Sequence, residues 1–188
     1  LLSPAELSSI LRVPGIENTG SVRTTLDHTG DNVQPPNCLA LAAVAQDRVY
    51  ERGRHTGLRT SDFTDGKPAG VSRWGTQAVV SFPNVENATA FYKESAKEWE
   101  RCGRAFTTQW GTPDQNRDER TVWLINDARR ILSTKFTALY VHCGRALAMR
   151  HNVVGDVIVC RRPTSDDLST DDEALAVDVA QQISDKMS

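Results

Sequence analysis

The clearest pattern along the chain is a helical stripe between residues 84 and 102. Charged side chains occupy its outer positions, and small or apolar residues recur at helical spacing on the inner face: Ala88, Phe91, Tyr92, Ser95, Ala96 and Trp99. Pro83-Asn84 precedes the stripe as a start signal, and Cys102 falls on its buried side. The pattern therefore predicts an amphipathic helix that ends near a buried cysteine.

Three further segments are predicted to be helical. Ser3-Pro4-Ala5-Glu6 is a capping box with proline at the first helical position, and it opens a short helix that Pro14-Gly15 ends. Pro35-Pro36-Asn37 caps an alanine- and leucine-rich helix from Cys38 to about Arg48. Thr170-Asp171-Asp172-Glu173 is a second capping box before a final apolar stripe: Leu175, Ala176, Val179, Ala180, Ile183 and Met187.

The remaining apolar runs have the length and composition of strands. Residues 58–64 and 72–82 flank a glycine-rich loop at 65–70, and further runs lie at 104–110, 119–126, 130–142, 144–150 and 153–161. Because the later runs follow one another without helices between them, they are expected to pair antiparallel. No repeat or linker divides the chain, so residues 1–188 are predicted to form one α+β domain.

Composition narrows the classes of partner. The 188 residues carry a formal net charge of −2, with both signs spread along the chain, so there is no basic face for nucleic acid. The apolar stretches are too short to span a bilayer, and the start Leu1-Leu2-Ser3 has no signal-peptide pattern. We therefore expect a fragment of a longer protein, tethered to a membrane only through a segment outside it.

Four cysteines, Cys38, Cys102, Cys143 and Cys160, allow three disulfide pairings. Four free thiols in a cytosolic protein are an alternative, but the last two cysteines suggest otherwise. A two-residue turn at His151-Asn152 brings Cys143 directly opposite Cys160 across a hairpin. Directly opposed side chains lie within bridging distance. Cys38 then pairs with Cys102 by elimination, and two disulfides indicate an oxidising compartment.

The same hairpin register makes Arg145 and Asp156 diagonal neighbours within reach of an ion pair. One interpretation is that the pair fixes the register beside the disulfide. The other is that Arg145 lines a pocket and recognises an anion, for which a guanidinium is well suited. The opposite hairpin face is small and apolar enough to receive a helix: Gly144, Ala146, Ala148, Val153, Val157 and Val159.

No catalytic constellation, metal site or cofactor motif rises above background in this sequence. Ser72 follows Gly70-Val71, but the spacing differs from that of a nucleophile elbow. The histidines lack metal-ligand spacing, and surface or turn positions are expected for them: His28, His55, His142 and His151. The aromatic residues Trp74, Trp110, Trp123 and Tyr140 are expected to pack in the core by default, although an exposed aromatic side chain suits a ligand cleft.

Two groups of residues resemble a known family. The first runs from Phe82-Pro83 through Ala88-x-x-Phe91-Tyr92 to Ser95-Ala96-x-x-x-Trp99-x-x-Cys102. The second comprises Cys143-x-Arg145-Ala146-Leu147, Asn152-Val153-Val154-x-Asp156-Val157 and Cys160. Together they resemble the extracellular sensor domains of mycobacterial serine/threonine kinases of the kinase H type, a domain that related cell-envelope lipoproteins share.

The resemblance implies a twisted antiparallel sheet flanked by helices, with a cleft for an external ligand. It also implies the pairing of the first cysteine with the second and of the third with the fourth. The expected function is a non-enzymatic sensor on the extracellular side of the membrane, with Arg145, Asp156, Trp74 and Tyr140 as candidate ligand-binding residues. Its partner is an unknown cell-wall component or small molecule. The alternatives are a lipoprotein domain, an interaction module without a pocket, and a small secreted hydrolase.

Overall fold

A computed structural model describes residues 1–66, 73–109, 117–138, 140–162 and 171–187. Its helices are α1 (Pro4–Leu11), α2 (Leu39–Ala42), α3 (Asp47–Tyr50), α4 (Val85–Cys102) and α5 (Asp172–Asp185). Its strands are β1 (Glu17–Asn18), β2 (Val33–Gln34), β3 (Gly57–Thr64), β4 (Arg73–Ser81), β5 (Ala105–Gln109), β6 (Arg117–Val122), β7 (Asn126–Ala128), β8 (Ile131–Ala138), β9 (Val141–Arg150) and β10 (Val153–Arg161).

The strands form one antiparallel sheet, which confirms the predicted α+β fold. Its order is β1-β3-β4-β10-β9-β8-β6-β5-β2, and β7 pairs with β8 beside β6. The centre of the sheet is β4-β10-β9-β8, where each strand is paired along most of its length. The long central strands carry the alternating side chains that build a core on each face.

Helices cover both faces of the sheet. On one face, α1 and α5 pack on the small side chains of the central hairpin, among them Ala146, Ala148, Val157 and Val159. Asp172 at the start of α5 lies so close to Gly144 that a Cβ there would come within 1.8 Å of its carbonyl oxygen. On the other face, α2 and α4 cover a larger core that includes both disulfides. The predicted apolar hairpin face therefore does receive a helix.

The predicted cysteine pairing and hairpin register are both confirmed. Cys143 is bonded to Cys160, and Cys38 is bonded to Cys102 at the end of α4. In the central hairpin Arg150 pairs with Val153, which puts His151 and Asn152 in the turn as predicted. The Cys38–Cys102 disulfide ties the start of α2 to the end of α4 across 64 residues.

The two clearest helices and the N-terminal helix are also where the sequence predicts them. Ser3 and Glu6 form the expected reciprocal capping box, and Asn84 caps α4 through its side chain. The final helix buries the predicted stripe and begins at Asp172, whereas Thr170 of its predicted capping box lies outside the described residues. None of the helices in the described ranges is both long and apolar enough to cross a bilayer.

The helix predicted from Cys38 to Arg48 is interrupted. A short 3₁₀ turn at Pro36–Cys38 leads into α2, the chain leaves helical geometry after Ala42, and α3 begins only at Asp47. Ala45 has a positive φ of 53°. The cause is tertiary: backbone groups in this segment bind side chains of β9 and β10 instead of continuing a helix.

Two strand boundaries also differ from the prediction. Residues 119–126 do not form one strand, because β6 ends at Val122 and β7 begins at Asn126, and each pairs with a different part of β8. The run predicted over 130–142 belongs to two strands, since Ala138 of β8 pairs with Val141 of β9. The first of these breaks lets the long strand β8 pair with two shorter strands, β6 and β7.

Candidate functional site

A cleft of about 520 Å³ opens on the sheet face that carries α2 and α4. One side is formed by side chains of β4, β9 and β10, with Trp74 and Ile158 beside the Cys143–Cys160 disulfide. The other side is formed by Thr108 of β5, Arg120 of β6 and Phe136 of β8. The described lining also includes Asp27, Thr29, Ala42, Ala43, Val44, Gln46, Gly75, Thr76 and Val141.

The cleft exists because the β5–β6 hairpin leaves the central sheet. β6 pairs with β8 through Thr121 and Val122, at the end of the strand, whereas residues 117–121 pair with β5. Arg120 lies two residues before Val122, so it shares the inward side of β6 and reaches the cleft. The diverging hairpin therefore supplies the second wall.

The last residue of α2, Ala42, and the segment that follows it before α3 line the cleft through Ala42, Ala43, Val44 and Gln46. Gln46 fixes the shape of this stretch. The side-chain oxygen of Gln46 accepts hydrogen bonds from the Thr29 backbone N–H at 3.0 Å and the Thr29 hydroxyl at 2.7 Å. Its amide nitrogen donates to the Val44 carbonyl at 3.0 Å. We call residues 42–46 the cleft segment.

Beneath the cleft segment, Arg145 and Asp156 form a buried ion pair. The guanidinium of Arg145 is 1% exposed and donates to carbonyl oxygens at 2.8–3.2 Å: those of Ala40, Leu41, Ala43, Ala146 and Val157. It also lies 5.2 Å from the ring centroid of Trp99 in α4. Arg145 thus joins the central hairpin, α2 and α4.

The Asp156 carboxylate completes this buried network from β10. It accepts hydrogen bonds from the Ala45 backbone N–H at 3.1 Å and from the Tyr50 hydroxyl at 2.8 Å. Burial, and after it the neighbouring Asp156 charge, raises the pKa of Tyr50 well above its usual value, so Tyr50 remains a hydrogen-bond donor. The Tyr50 ring stacks on Phe91 of α4 at 4.6 Å between centroids.

The four candidate ligand residues fall in different places. Trp74 lines the cleft. Arg145 and Asp156 lie beneath the cleft segment and are absent from the lining, which favours the interpretation that they stabilise the fold over direct contact with an anion. Tyr140 is 70% exposed in the β8–β9 turn and is likewise outside the lining. Cys143 and Cys160 do line the cleft.

Sequence reasoning missed the cleft segment and Arg120. The cleft segment resembles the continuation of a helix in sequence, because its three alanines give no sign of the contacts that interrupt it. One signal for Arg120 was available. Strand alternation places Arg120 on the same side of β6 as the buried Val122, and it pairs with the buried Phe106 of β5, so a charged side chain occupies an inward position. Ser72 and Trp110, considered above, lie outside the described residues.

Within the part of the chain that the structure describes, no cluster of three or more histidine, cysteine or acidic side chains is arranged to hold a metal ion. The described cleft lining offers aliphatic and aromatic surface, hydroxyl groups, one carboxylate and one guanidinium. This arrangement can enclose and orient a small molecule.

A family model described as the PknH-like extracellular domain matches residues 1–186. The chain belongs to this family. The resemblance noted in the sequence is thereby confirmed.

Relatives and a solved structure agree with the assignment to the PknH-like extracellular domain family. The chain is 29% identical over 171 residues to the serine/threonine-protein kinase PknH of Mycobacterium bovis and, equally, to that of Mycobacterium tuberculosis. These alignments cover 85% of this chain but 27% and 25% of the relatives, so the chain spans about a quarter of their length.

The crystal structure of the extracellular domain of PknH from Mycobacterium tuberculosis superposes on this fold with a TM-score of 0.83 at 25% identity. The match covers 99% of this chain and 91% of the solved one. The PknH-like extracellular fold therefore extends over essentially the whole chain.

Proposed function

We propose that this domain is the ligand-binding sensor of a receptor serine/threonine kinase, and that the ligand occupies the cleft beside Trp74. The observation that carries the proposal is the cleft itself. It is concave, it has the volume of a small-molecule site, and its walls are mostly apolar with a few polar groups. The cleft lies between the central strands and the β5–β6 hairpin, which are joined only by the short pairing of β6 with β8. A ligand that contacts both parts could therefore change their relative position.

The proposed parent protein follows from the relatives, which are kinases about four times as long as the matched region. In such a protein the domain lies outside the cell, beyond a membrane-spanning segment, and ligand binding changes the association or activity of the kinase. A cell-envelope lipoprotein is the alternative parent. The full-length protein sequence distinguishes them, since kinase motifs and a membrane helix identify the first and a lipobox cysteine identifies the second.

The experiment is a thermal-shift screen of the oxidised domain against envelope-derived glycans, lipids, peptides and small anions. A ligand that binds only the native state at one hundred times its Kd stabilises it by about 2.7 kcal/mol. We expect at least one saturable rise in Tm, weakened by Trp74→Ala and retained by the matched variant Trp123→Ala, whose side chain lies outside the cleft lining. A hit that Trp74→Ala leaves unchanged would place the ligand elsewhere.

A second candidate function is a protein-interaction module, favoured by exposed apolar side chains at one side of β8. Trp123 is 52% exposed and Leu124 is 80% exposed, and the Trp123 indole lies 3.5 Å from the Thr137 hydroxyl of β8. An apolar patch of this kind is typical of an interface. A silent small-molecule screen, together with an envelope protein whose binding is lost in Trp123→Ala, would favour this function.

A further inference from the structure

A second depression, of about 600 Å³, lies between the end of α4 and the connection from β6 to β7. Its apolar lining comes from Val122, Trp123, Leu124 and Ile125, none of which lines the cleft. Leu124 is 80% exposed, so it projects from the rim of the depression and does not form its floor. A projecting apolar side chain therefore stands directly beside a hollow. We call the hollow and its rim the Leu124 patch.

The backbone on each side of Leu124 is held in place. The Trp123 N–H donates to the Lys135 carbonyl at 2.9 Å, and the Trp123 carbonyl accepts from the Thr134 hydroxyl at 3.2 Å. Ile125 packs against the larger core. The exposure of Leu124 is thus set by the strand pairing on either side of it. An apolar side chain that is already fixed in position loses little conformational entropy when a partner covers it.

The indole of Trp123 is also oriented before any partner binds. The Lys135 ammonium lies 4.3 Å from the ring centroid, and the indole N–H donates to the Thr137 hydroxyl at 3.5 Å. The side chain nevertheless remains 52% exposed. A single exposed apolar residue is ordinary on a protein surface, whereas a tryptophan and a leucine side by side next to a hollow are typical of an interface.

The charges of the Leu124 patch indicate which partner it fits. Glu100 in the last turn of α4 and Arg104 just after the helix both line the hollow, and both are exposed. Among the described residues, neither side chain has an ion-pair partner. One acid and one base beside the same apolar centre make a surface that is complementary to itself. An anionic lipid surface would instead be repelled by Glu100.

We infer that a second copy of this domain docks on the Leu124 patch through a two-fold interface. In such an interface the same patch meets itself, so each contact occurs twice. Leu124 of each copy fills the hollow of the other, and Glu100 faces Arg104 of the partner subunit. The inference goes beyond the proposed sensor function, since the patch lies outside the cleft, and it names the partner for the interaction surface described above.

The expected affinity is low. The hollow has eight described lining residues, whereas a standard stable interface uses about 20–30 residues on each side. We therefore expect a Kd between about 10 µM and 1 mM in solution. In the proposed receptor, tethering two copies in one membrane raises their effective concentration, so a weak contact is sufficient to pair them.

Sedimentation velocity of the oxidised domain over this concentration range tests the inference. The weight-average sedimentation coefficient should rise with concentration towards that of a dimer. Leu124→Asp should raise the dimer Kd about tenfold or more. The matched control Val22→Asp changes a residue that is 45% exposed near the β3 edge of the sheet, and it should leave the Kd unchanged. A monomer at every concentration overturns the inference, as does an equal effect of the two variants.

Exchanging the charges tests the two-fold arrangement itself. Glu100→Arg and Arg104→Glu should each weaken self-association about threefold to tenfold, because each places like charges opposite one another. The double variant should recover the wild-type Kd. An equimolar mixture of the two single variants should form a heterodimer more tightly than either forms a homodimer. If neither the double variant nor the mixture recovers affinity, the two-fold contact is wrong.

Other occupants of the patch give different results. Co-sedimentation of a monomeric domain with phosphatidylglycerol vesicles, lost in Leu124→Asp, would identify a lipid surface and overturn the inference. A monomeric domain that binds an envelope protein through Trp123 would overturn it as well. The ligand screen reports separately on the sensor function. A dimer with a silent screen supports the inference while the sensor function fails, and a ligand bound beside Trp74 of a strictly monomeric domain shows the reverse.

Discussion

The Asp156 carboxylate accepts a 3.1 Å hydrogen bond from the backbone N–H of Ala45, 111 residues earlier in the chain. Ala45 belongs to the cleft segment, and Asp156 belongs to the centre of the sheet. Together with the Arg145 contacts to Ala40, Leu41 and Ala43, this bond shapes the cleft segment from below. The buried ion pair is therefore linked to the site although it does not line it.

Asp156→Asn is predicted to be strongly destabilising. Removing one partner of a buried ion pair leaves the other charge uncompensated, which costs about 3–5 kcal/mol. The control Asp185→Asn breaks the pair with Arg150, whose side chains are 40% and 54% exposed, and such surface pairs contribute about 0–1 kcal/mol. Urea unfolding measures the free energy of unfolding of both variants, and equal losses of stability would contradict the role of the buried pair.

Replacing both partners tests the same network differently. Arg145→Met with Asp156→Leu removes both charges, so it should cost less than the sum of the single substitutions. In this double variant the Ala45 amide loses its acceptor, and its hydrogen exchange should accelerate relative to the wild type. Unchanged exchange at Ala45 would show that the pair does not hold the cleft segment.

The two disulfides are predicted to affect stability and binding differently. In the chain-entropy model, opening the 64-residue loop with serines at Cys38 and Cys102 costs about 4 kcal/mol, and opening the 17-residue loop at Cys143 and Cys160 costs about 3 kcal/mol. Among the described residues, only the Cys143–Cys160 disulfide lines the cleft. Only its loss should therefore weaken ligand binding under conditions where both variants are folded. Titration calorimetry with a screening hit checks this.

Two glycines under α5 give a matched test of packing. A Cβ at Gly144 would lie 1.8 Å from the Asp172 carbonyl oxygen, which is backbone, whereas one at Gly155 would meet the Ile183 side chain at 3.1 Å. Gly144→Ala is expected to cost about 3 kcal/mol or more because α5 must move, and Gly155→Ala about 1 kcal/mol. Comparable losses in denaturant unfolding would mean that α5 does not approach the hairpin this closely.

The contribution of the contact between α1 and α5 to stability is predicted to depend on pH in the acid range. Hydrogen bonds from Lys186 and from Ser3 lower the pKa of Glu6 to about 2. Because the folded pKa lies below the unfolded value near 4.5, the contribution of Glu6 is present above that value and is lost as the pH falls towards 2. The Tm difference between wild type and Glu6→Gln should therefore shrink over this interval, and a constant difference would contradict the role of the Glu6 contacts.

The features that the sequence predicts correctly depend on neighbouring residues. The Cys143–Cys160 register follows from a two-residue turn, and the helix capped by Asn84 follows from its own apolar stripe. The pairing of Cys38 with Cys102 needed only elimination once the hairpin was fixed.

The features that the sequence predicts wrongly depend on contacts between residues that are distant along the chain. The helix expected through Ala45 is interrupted because Arg145 and Asp156, more than a hundred residues away, bind its backbone. The cleft was expected from the family resemblance, but its second wall was not, because the departure of β6 from β8 after two residue pairs leaves no local pattern. Trp74 was identified by residue type, whereas Arg120 required knowledge of where its strand leads.

The cleft is tested most directly by fluorine NMR of the domain labelled with 5-fluorotryptophan, titrated with a ligand that raises its Tm. The chain has four tryptophans, and single substitutions assign their signals. We expect the Trp74 signal to shift saturably with the Kd of the thermal-shift titration, and the signal of the exposed Trp123 to stay in place. A shift at Trp123 with none at Trp74 would contradict the account and locate binding at the exposed patch of Trp123 and Leu124.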